Sequence, residues 1–303
     1  MAPPKKIKTW IAILEVTLAV IAWGGSFVAT KYSLRYVQPV TVIWLRFAMG
    51  IPILALATGL RKQFQAVPGR DLLYFAATGF IGITFHQWLQ STALETTQAS
   101  TTAWIVATVP LFSAVLGWLF LKERLWLLQI AGVLLAAMGV LVVISKGNFH
   151  QLATGHFGTI GDILVLISAP NWAFFSVISR RGLSKYPAAL MMTWVMLFGW
   201  LFTTVHFILA RGYAEIGKLA LDGWLGVAFL GVVCSGAAYV FWYDALQALP
   251  VAQAGAFIYL EPLVTMVVAA IVLGEPLLAA SLAGGAIILF GVWLVNRPAK
   301  QPA

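Results

Sequence analysis

The chain has 303 residues, of which 61% are hydrophobic and only 10% are charged, and its mean hydropathy is +0.92. Soluble globular proteins carry about a quarter charged residues, so this composition excludes that class and indicates a protein embedded in a lipid bilayer. The formal net charge is +9. Because the basic residues lie in short loops and at the chain ends, we interpret them as topology signals and predict no nucleic-acid partner.

Ten apolar segments are long enough to cross a bilayer, for which a helix needs roughly 20 residues. In chain order they cover residues 10–32, 40–60, 72–93, 97–121, 125–145, 157–180, 188–210, 222–247, 251–273 and 277–295. The first segment is too long for the apolar part of a signal peptide, so we expect an uncleaved span. The sequence therefore predicts an all-α membrane protein with ten transmembrane helices.

One stretch of the chain occurs twice. Residues 93–143 align without a gap on residues 245–295 when they are shifted by 152 positions. The aligned pairs include Pro110 with Pro262, Glu123 with Glu275, Gly132 with Gly284, and Gly139 with Gly291. A period of about 150 residues is longer than that of solenoid repeats, so it indicates a duplicated half-protein. We assign residues 1–147 and 148–303 to two five-helix repeats.

The basic residues also predict the orientation of the spans. With the N-terminus in the cytoplasm, 13 of the 19 Lys and Arg residues lie on the inner side, which places both termini in the cytoplasm. Because each half has an odd number of spans, the second half must be inverted relative to the first. The inner turn at Lys122, Glu123 and Arg124 agrees with this, since its counterpart in residues 274–276 keeps only the glutamate.

Several short motifs carry a resemblance to a known family. They are Trp23-Gly24, Arg46-Phe47, Glu261-Pro262 and Leu273-Gly274-Glu275. With these motifs and its repeat, the chain resembles the EamA-type, ten-span members of the drug/metabolite transporter superfamily. The resemblance implies a secondary transporter of the inner (plasma) membrane that exports amino acids or related metabolites and drugs. The first half departs from the pattern, because Val109-Pro110 stands where the second half has Glu261-Pro262.

Ionisable residues within the spans are candidates for transport. Each costs about 2.5–3.5 kcal/mol on insertion scales unless it has a partner, water or a function. Glu261 precedes a proline that removes a helical hydrogen bond, so its carboxyl could bind a substrate ammonium or a proton, or it could bond to a neighbouring helix. Arg46 could hold a substrate carboxylate or pair with Asp162. Glu15 and Asp244, which lie at similar depth, are candidates for coupling or charge pairing, with a structural role as the alternative for Glu15.

Other residues suggest a central binding site for a solute. Trp23, Trp172, Trp104 and Tyr259 could line a cavity that accommodates an apolar or aromatic side chain, or they could be packing residues. The polar part of the solute would then contact Asn171, together with His86 and Gln90, which share a helix face one turn apart. The alternative for His86 is a histidine that bonds to a neighbouring helix.

These observations favour a transporter that moves a small organic solute outward by alternating access. The alternatives are a carrier for uptake or exchange, a channel, and a membrane enzyme acting on lipid substrates. A channel would need a continuous polar stripe, and an enzyme would need a clustered catalytic set. The sequence has no phosphate-binding loop or HExxH motif and a single cysteine, so we predict no enzyme activity, cofactor or metal site. A monomer is expected, while a dimer and proton coupling stay open.

Overall fold

The computed structural model describes residues 8–121, 127–148, 150, 158–249 and 257–295. The predicted turn at Lys122, Glu123 and Arg124 lies outside these residues. Across the described ranges the chain is helical and has no β-strand. The all-α prediction is confirmed.

Seven α-helices lie in the described residues of the first half. They are α1 (Thr9–Ser33), α2 (Pro39–Leu60), α3 (Gly69–Gly79), α4 (His86–Ala93), α5 (Ala99–Val106), α6 (Val109–Leu121) and α7 (Leu127–Ser145). A π-helical segment, Phe80–Phe85, joins α3 to α4.

The elements of the second half follow one another in a similar order to those of the first half. Its helices are α8 (Ile160–Leu183), α9 (Ala188–Leu209), α10 (Leu221–Ala228), α11 (Ala238–Ala248), α12 (Glu261–Leu273) and α13 (Ala279–Val295). A second π-helical segment, Phe229–Ala237, joins α10 to α11, and a 3-10 turn, Ile258–Leu260, precedes α12.

Seven helices in the described ranges are long and apolar enough to cross a membrane. They are Thr9–Ser33, Pro39–Leu60, Ala99–Leu116, Leu127–Ser145, Ile160–Leu183, Ala188–Leu209 and Leu221–Ala245. Ile258–Leu273 and Ala279–Val295 are apolar but shorter. The helical residues 69–93 include a polar run from His86 to Gln90, which lowers their hydropathy. The protein is therefore a multi-pass membrane protein, with seven of the ten predicted spans present as helices of membrane length.

The prolines that align in the repeat lie where helices begin. Pro110 is the second residue of α6, and Pro262 is the second residue of α12. Proline is tolerated in the first turn of a helix, because its missing N–H would have no partner there. The interruption that the sequence predicts beside Glu261 is therefore present as a helix start.

Helices α7 and α13 form the most extensive helix contact among the described residues. A Cβ atom added to Gly132 would lie 2.6 Å from the Gly291 carbonyl oxygen, and one added to Gly139 would lie 2.7 Å from that of Gly284. The contact thus pairs 132 with 291 and 139 with 284, so the two helices are antiparallel. Since the repeat aligns 132 with 284 and 139 with 291, a two-fold axis relates the two helices. Small residues permit this close approach.

At one end of the bundle, which we call the Asp222 end, second-half carboxylates accept hydrogen bonds from the first half. The hydroxyls of Tyr32 and Tyr36 both donate to Asp222 Oδ2 at 2.7 Å. The backbone N–H of Gln38 donates to Glu215 Oε2 at 2.9 Å. The hydrogen bond to Asp222 raises the pKa of Tyr36, in the loop after α1, to about 12. Tyr36 therefore remains a donor at physiological pH.

Glu275, the glutamate that both repeats keep, also lies at the Asp222 end. Its Oε1 accepts from the backbone N–H of Ala99 at 2.8 Å, and its Oε2 accepts from the hydroxyl of Ser100 at 2.7 Å. A second-half carboxylate thus caps the N-terminus of first-half helix α5, where the exposed N–H groups attract negative charge. This gives Glu275 a structural function.

At the opposite end, hydrogen bonds and ion pairs also join the two halves. We call it the Arg61 end, after the residue that bonds to Asp244 there. Asp71, in the first turn of α3, accepts from Lys185 Nζ and, at 2.5 Å, from the hydroxyl of Tyr186. The hydrogen bond from Lys185 to Asp71 raises the pKa of Lys185, which lies in the loop after α8. Polar contacts therefore connect the halves at both ends of the bundle.

The α7–α13 contact predicts a specific effect of side-chain volume. We expect Gly139→Leu to destabilise the protein by about 1–3 kcal/mol or more, because the new side chain would meet the backbone of α13. Ala137→Leu is the matched control, since Ala137 lies exposed on the same helix. Thermal unfolding in detergent, followed by tryptophan fluorescence, measures both variants. Equal unfolding temperatures would contradict the contact.

Candidate functional site

Two tryptophans at corresponding places in the halves each contact the other half. The Trp23 ring lies 5.5 Å from the ring of Tyr239 and 5.4 Å from that of Trp242, and its Nε1 donates to the Cys234 carbonyl oxygen at 3.1 Å. The Trp172 ring lies 4.7 Å from the imidazole of His86. We call Trp23, Trp172, Tyr239 and Trp242 the central aromatic group. Tyr239 joins the two parts of this group. Its ring contacts Trp23, and it packs against the same buried cluster as Trp172.

Arg46 lies within α2 and is 7% exposed. Its Nε donates to Ser235 Oγ and its Nη1 donates to Gln87 Oε1, both at 3.0 Å. The predicted pair with Asp162 is wrong. Asp162 instead forms a capping box with Thr159 at the start of α8 and accepts a hydrogen bond from Thr97. A carboxylate three residues after a threonine cap is well placed for these bonds and is no longer available to Arg46.

Glu261 is the first residue of α12, at the point where this helix crosses α1. The crossing is close because Gly24 has no side chain: a Cβ there would lie 2.8 Å from Val264 Cβ. The Thr265 hydroxyl donates to the carbonyl oxygens of Gly24 and Glu261 at 2.7 and 2.9 Å. The Glu261 carboxylate is partly buried and has no hydrogen bond or ion pair among the described residues. It lies within electrostatic range of Tyr239, beside the central aromatic group.

Trp104 and Tyr259 lie apart from the central aromatic group. Trp104 is 2% exposed and packs against Gly285 of α13, where an added Cβ would lie 2.5 Å from its ring. Tyr259 packs against the same buried cluster. Of the two interpretations that the sequence left open for Trp104, a cavity wall or a packing residue, these contacts favour packing. Its Nε1 has no hydrogen-bond partner in the part of the chain described.

The three remaining polar residues predicted for the site, Asn171, His86 and Gln90, have different contacts. Asn171 Nδ2 donates to the Ile81 carbonyl oxygen at 3.0 Å, so its amide supports the first π-helical segment. His86 is buried against Trp172 and lies near the Ser168 carbonyl of α8, as expected for a histidine between helices. Gln90 is half-buried one turn further along α4. Of these three polar residues, only His86 has a described contact with the central aromatic group.

Two carboxylates lie near one guanidinium at the Arg61 end. Arg61 forms a bidentate ion pair with Asp244, with both N–O distances at 2.6 Å. Glu15 lies within electrostatic range of both residues, and its Oε2 is buried without a hydrogen-bond partner among the described residues. The sequence correctly predicted that Glu15 and Asp244 lie at the same depth. It missed Arg61 as the partner, because Arg61 was counted only as a loop cation.

Sequence reasoning also missed Tyr239 and Trp242, although a signal for them was present. The shift of 152 positions that defines the repeat places Gln87 on Tyr239 and Gln90 on Trp242. The polar run of the third span therefore corresponds to an aromatic run in the eighth. Extending the repeat upstream of residue 93 would have identified both residues.

Comparisons with known proteins find one family and several relatives that match nearly the whole chain. The family model described as the EamA-like transporter family matches residues 10–145 and again residues 159–297. An uncharacterized transporter of Archaeoglobus fulgidus is 27% identical over 95% of this chain and 98% of its own. The uncharacterized transporter YyaM of Bacillus subtilis is 24% identical over 98% of this chain and 96% of its own.

A further relative has a more specific description. A probable terminal-alkyne amino-acid exporter of Streptantibioticus cattleyicolor is 28% identical over 94% of this chain and 93% of its own. Among solved structures, one crystal structure matches with a TM-score of 0.67 at 21% identity, covering 94% of this chain and 98% of that one. The likeness to this structure concerns the fold.

The Arg61–Asp244 ion pair predicts a stability effect. We expect Asp244→Ala to destabilise the protein by about 1–3 kcal/mol, between the values for exposed and buried pairs. The exchanged double variant, Arg61→Asp with Asp244→Arg, should recover part of this loss because opposite charges still face each other. Arg70→Ala, at a nearby exposed cation, is the control. A double variant whose unfolding temperature is no higher than that of Asp244→Ala would contradict this prediction.

Proposed function

Because this chain belongs to the EamA-like transporter family, we propose that it is a secondary active transporter that exports a small organic solute by alternating access. It is a transporter and not an enzyme, as its family and relatives indicate. The observation that carries the proposal is the central aromatic group with the Glu261 carboxylate beside it, which has no ion-pair partner among the residues that the structure describes. Such a combination holds an apolar body and a polar head at one place.

We place ten spans in two inverted five-helix halves, with both termini in the cytoplasm. The two-fold pairing of α7 with α13 and the π-helical segments at equivalent positions support this arrangement. The distribution of Lys and Arg supports the orientation in the plasma membrane. In this orientation the Arg61 end faces the cytoplasm and the Asp222 end faces outward.

Alternating access requires that contacts at the two ends open in turn. At the Arg61 end these are the Arg61–Asp244 and Lys185–Asp71 ion pairs, and at the Asp222 end they are the tyrosine and backbone bonds to carboxylates. Inverted repeats can exchange their conformations, so one end closes while the other opens. The site between the ends is then exposed to one side at a time.

The class of solute follows from the site. The aromatic rings would contact an apolar or aromatic body, and Glu261 would bind an ammonium group or carry a proton. One relative is described as a probable amino-acid exporter, which agrees with this chemistry. We therefore propose amino acids and related small metabolites or drugs as substrates.

Flux of radiolabelled amino acids in proteoliposomes, with and without a pH gradient, tests the function. We expect Trp23→Ala and Trp172→Ala each to lower flux by about 10- to 100-fold, because burial of an apolar side chain is worth about 1.5–3 kcal/mol. Trp10→Ala is the matched control, since Trp10 is exposed at the start of α1. Folded protein without flux of any small solute would refute the proposal.

A second experiment separates binding from coupling at Glu261. We expect Glu261→Gln to lose flux that is driven by a pH gradient, because an amide cannot carry the proton. Exchange of solute between equal concentrations on both sides should persist, since it needs no net proton movement. Gradient-driven flux at the normal rate in this variant would show that Glu261 is not the coupling group.

A further inference from the structure

The guanidinium of Arg46 is a buried charge that has no counter-ion in the described part of the chain. A guanidinium stays protonated in proteins, and Arg46 is only 7% exposed. Both of its hydrogen bonds go to neutral groups, Ser235 Oγ and Gln87 Oε1. No acidic side chain in the described ranges forms an ion pair with it. Such a charge is costly within a membrane unless an anion joins it.

None of the acidic residues in the described ranges pairs with Arg46, and Glu95 is exposed in the loop after α4. Those held by hydrogen bonds or ion pairs are Asp71, Asp162, Glu215, Asp222, Asp244 and Glu275. Glu15 lies near the Arg61–Asp244 pair. Glu261 is not within ion-pair distance of Arg46, although both lie within electrostatic range of Tyr239. The charge is therefore not balanced by rearranging these contacts locally.

Arg46 also has unused hydrogen-bond donors. Its Nε and one Nη1 hydrogen are engaged, whereas Nη2 donates to none of the described residues. A guanidinium binds a carboxylate best through two parallel N–H bonds, and the edge formed by Nη1 and Nη2 retains this capacity. Ser235 and Gln87 hold the side chain in place, so the edge is positioned before any solute arrives.

We infer that Arg46 is the anion subsite of the transported solute, and that the solute carries a carboxylate attached to an apolar or aromatic body. This inference rests on the proposed function. Tyr239 links the two charged groups, since it lies within electrostatic range of Arg46 and of Glu261. Arg46 supplies one positive charge in a planar fork, which matches a singly charged carboxylate better than a doubly charged phosphate, so a carboxylate is the fitting anion.

Matched pairs of solutes test the inference. Phenylalanine and leucine are compared with their decarboxylated amines, phenethylamine and 3-methylbutylamine, as competitors of flux in proteoliposomes. A lost charge-assisted contact should make each amine about 10- to 100-fold weaker than its amino acid. In Arg46→Gln the difference should shrink to less than about threefold, and in Arg46→Lys it should be intermediate because the fork geometry is lost.

Two further variants separate an anion subsite from a mere bridge between helices. Gln87→Ala and Ser235→Ala each remove a hydrogen bond to Arg46 and leave its charge in place. If Arg46 only connects α2 to its neighbours, these variants should reproduce the Arg46→Gln phenotype. If it binds the solute, they should keep the preference for the amino acid, and thermal unfolding without solute checks that every variant is folded.

The outcomes for the two proposals differ. Equal or stronger competition by the amines in the unaltered protein would overturn the anion subsite and leave the transporter proposal standing. A preference for the amino acid that survives unchanged in Arg46→Gln would do the same. Absence of flux for acids, amines and neutral solutes alike would overturn both. Should Arg46→Gln fail to fold, the solute pairs in the unaltered protein and in Arg46→Lys decide the question.

Discussion

The interior of a bilayer offers no water, and this constraint governs the polar side chains of the protein. Many hydroxyls bond to a carbonyl one turn back in their own helix, whereas Trp23 and Asn171 donate to carbonyls of the other half, those of Cys234 and Ile81. Arg46 and Glu261 meet the constraint only in part within the described residues. Because incompletely paired groups are costly in a membrane, Arg46 and Glu261 are the residues on which the proposed binding site rests.

The scaffold of the protein is more symmetric than its site. The α7–α13 contact between the halves is two-fold symmetric and each half has a π-helical segment, so the packing can exchange between equivalent arrangements. The polar groups do not follow this symmetry, since Glu261 has Val109 as its counterpart in the repeat. The two ends also differ, since ion pairs join the halves at the Arg61 end, whereas the carboxylates of the Asp222 end accept from hydroxyls and backbone N–H groups of the first half. A symmetric scaffold with an asymmetric site suits a carrier that binds one solute in a defined orientation.

The comparison of prediction with structure shows which signals could be read along the chain. The interruption beside Glu261 was predicted because proline removes a helical hydrogen bond, and the similar depth of Glu15 and Asp244 was predicted from distances along the helices. The pairing of Arg46 with Asp162 was wrong, although the spacing of Thr159 and Asp162 already indicated a capping box. The sequence left two positions open for Trp104, because depth in the membrane does not tell whether a side chain faces a cavity or a neighbouring helix.

The sequence alone determined the membrane class, the helical structure, the duplication and the family, because these depend on composition, segment length and spacing along one chain. Only the tertiary structure decided which side chains meet. Arg61 bonds to Asp244, and Arg46 to Ser235, across more than half of the chain. Helices that are apolar on all sides carry little periodic signal for their rotation about the axis. The facing residues, and with them the site, therefore emerge only when the two halves pack together.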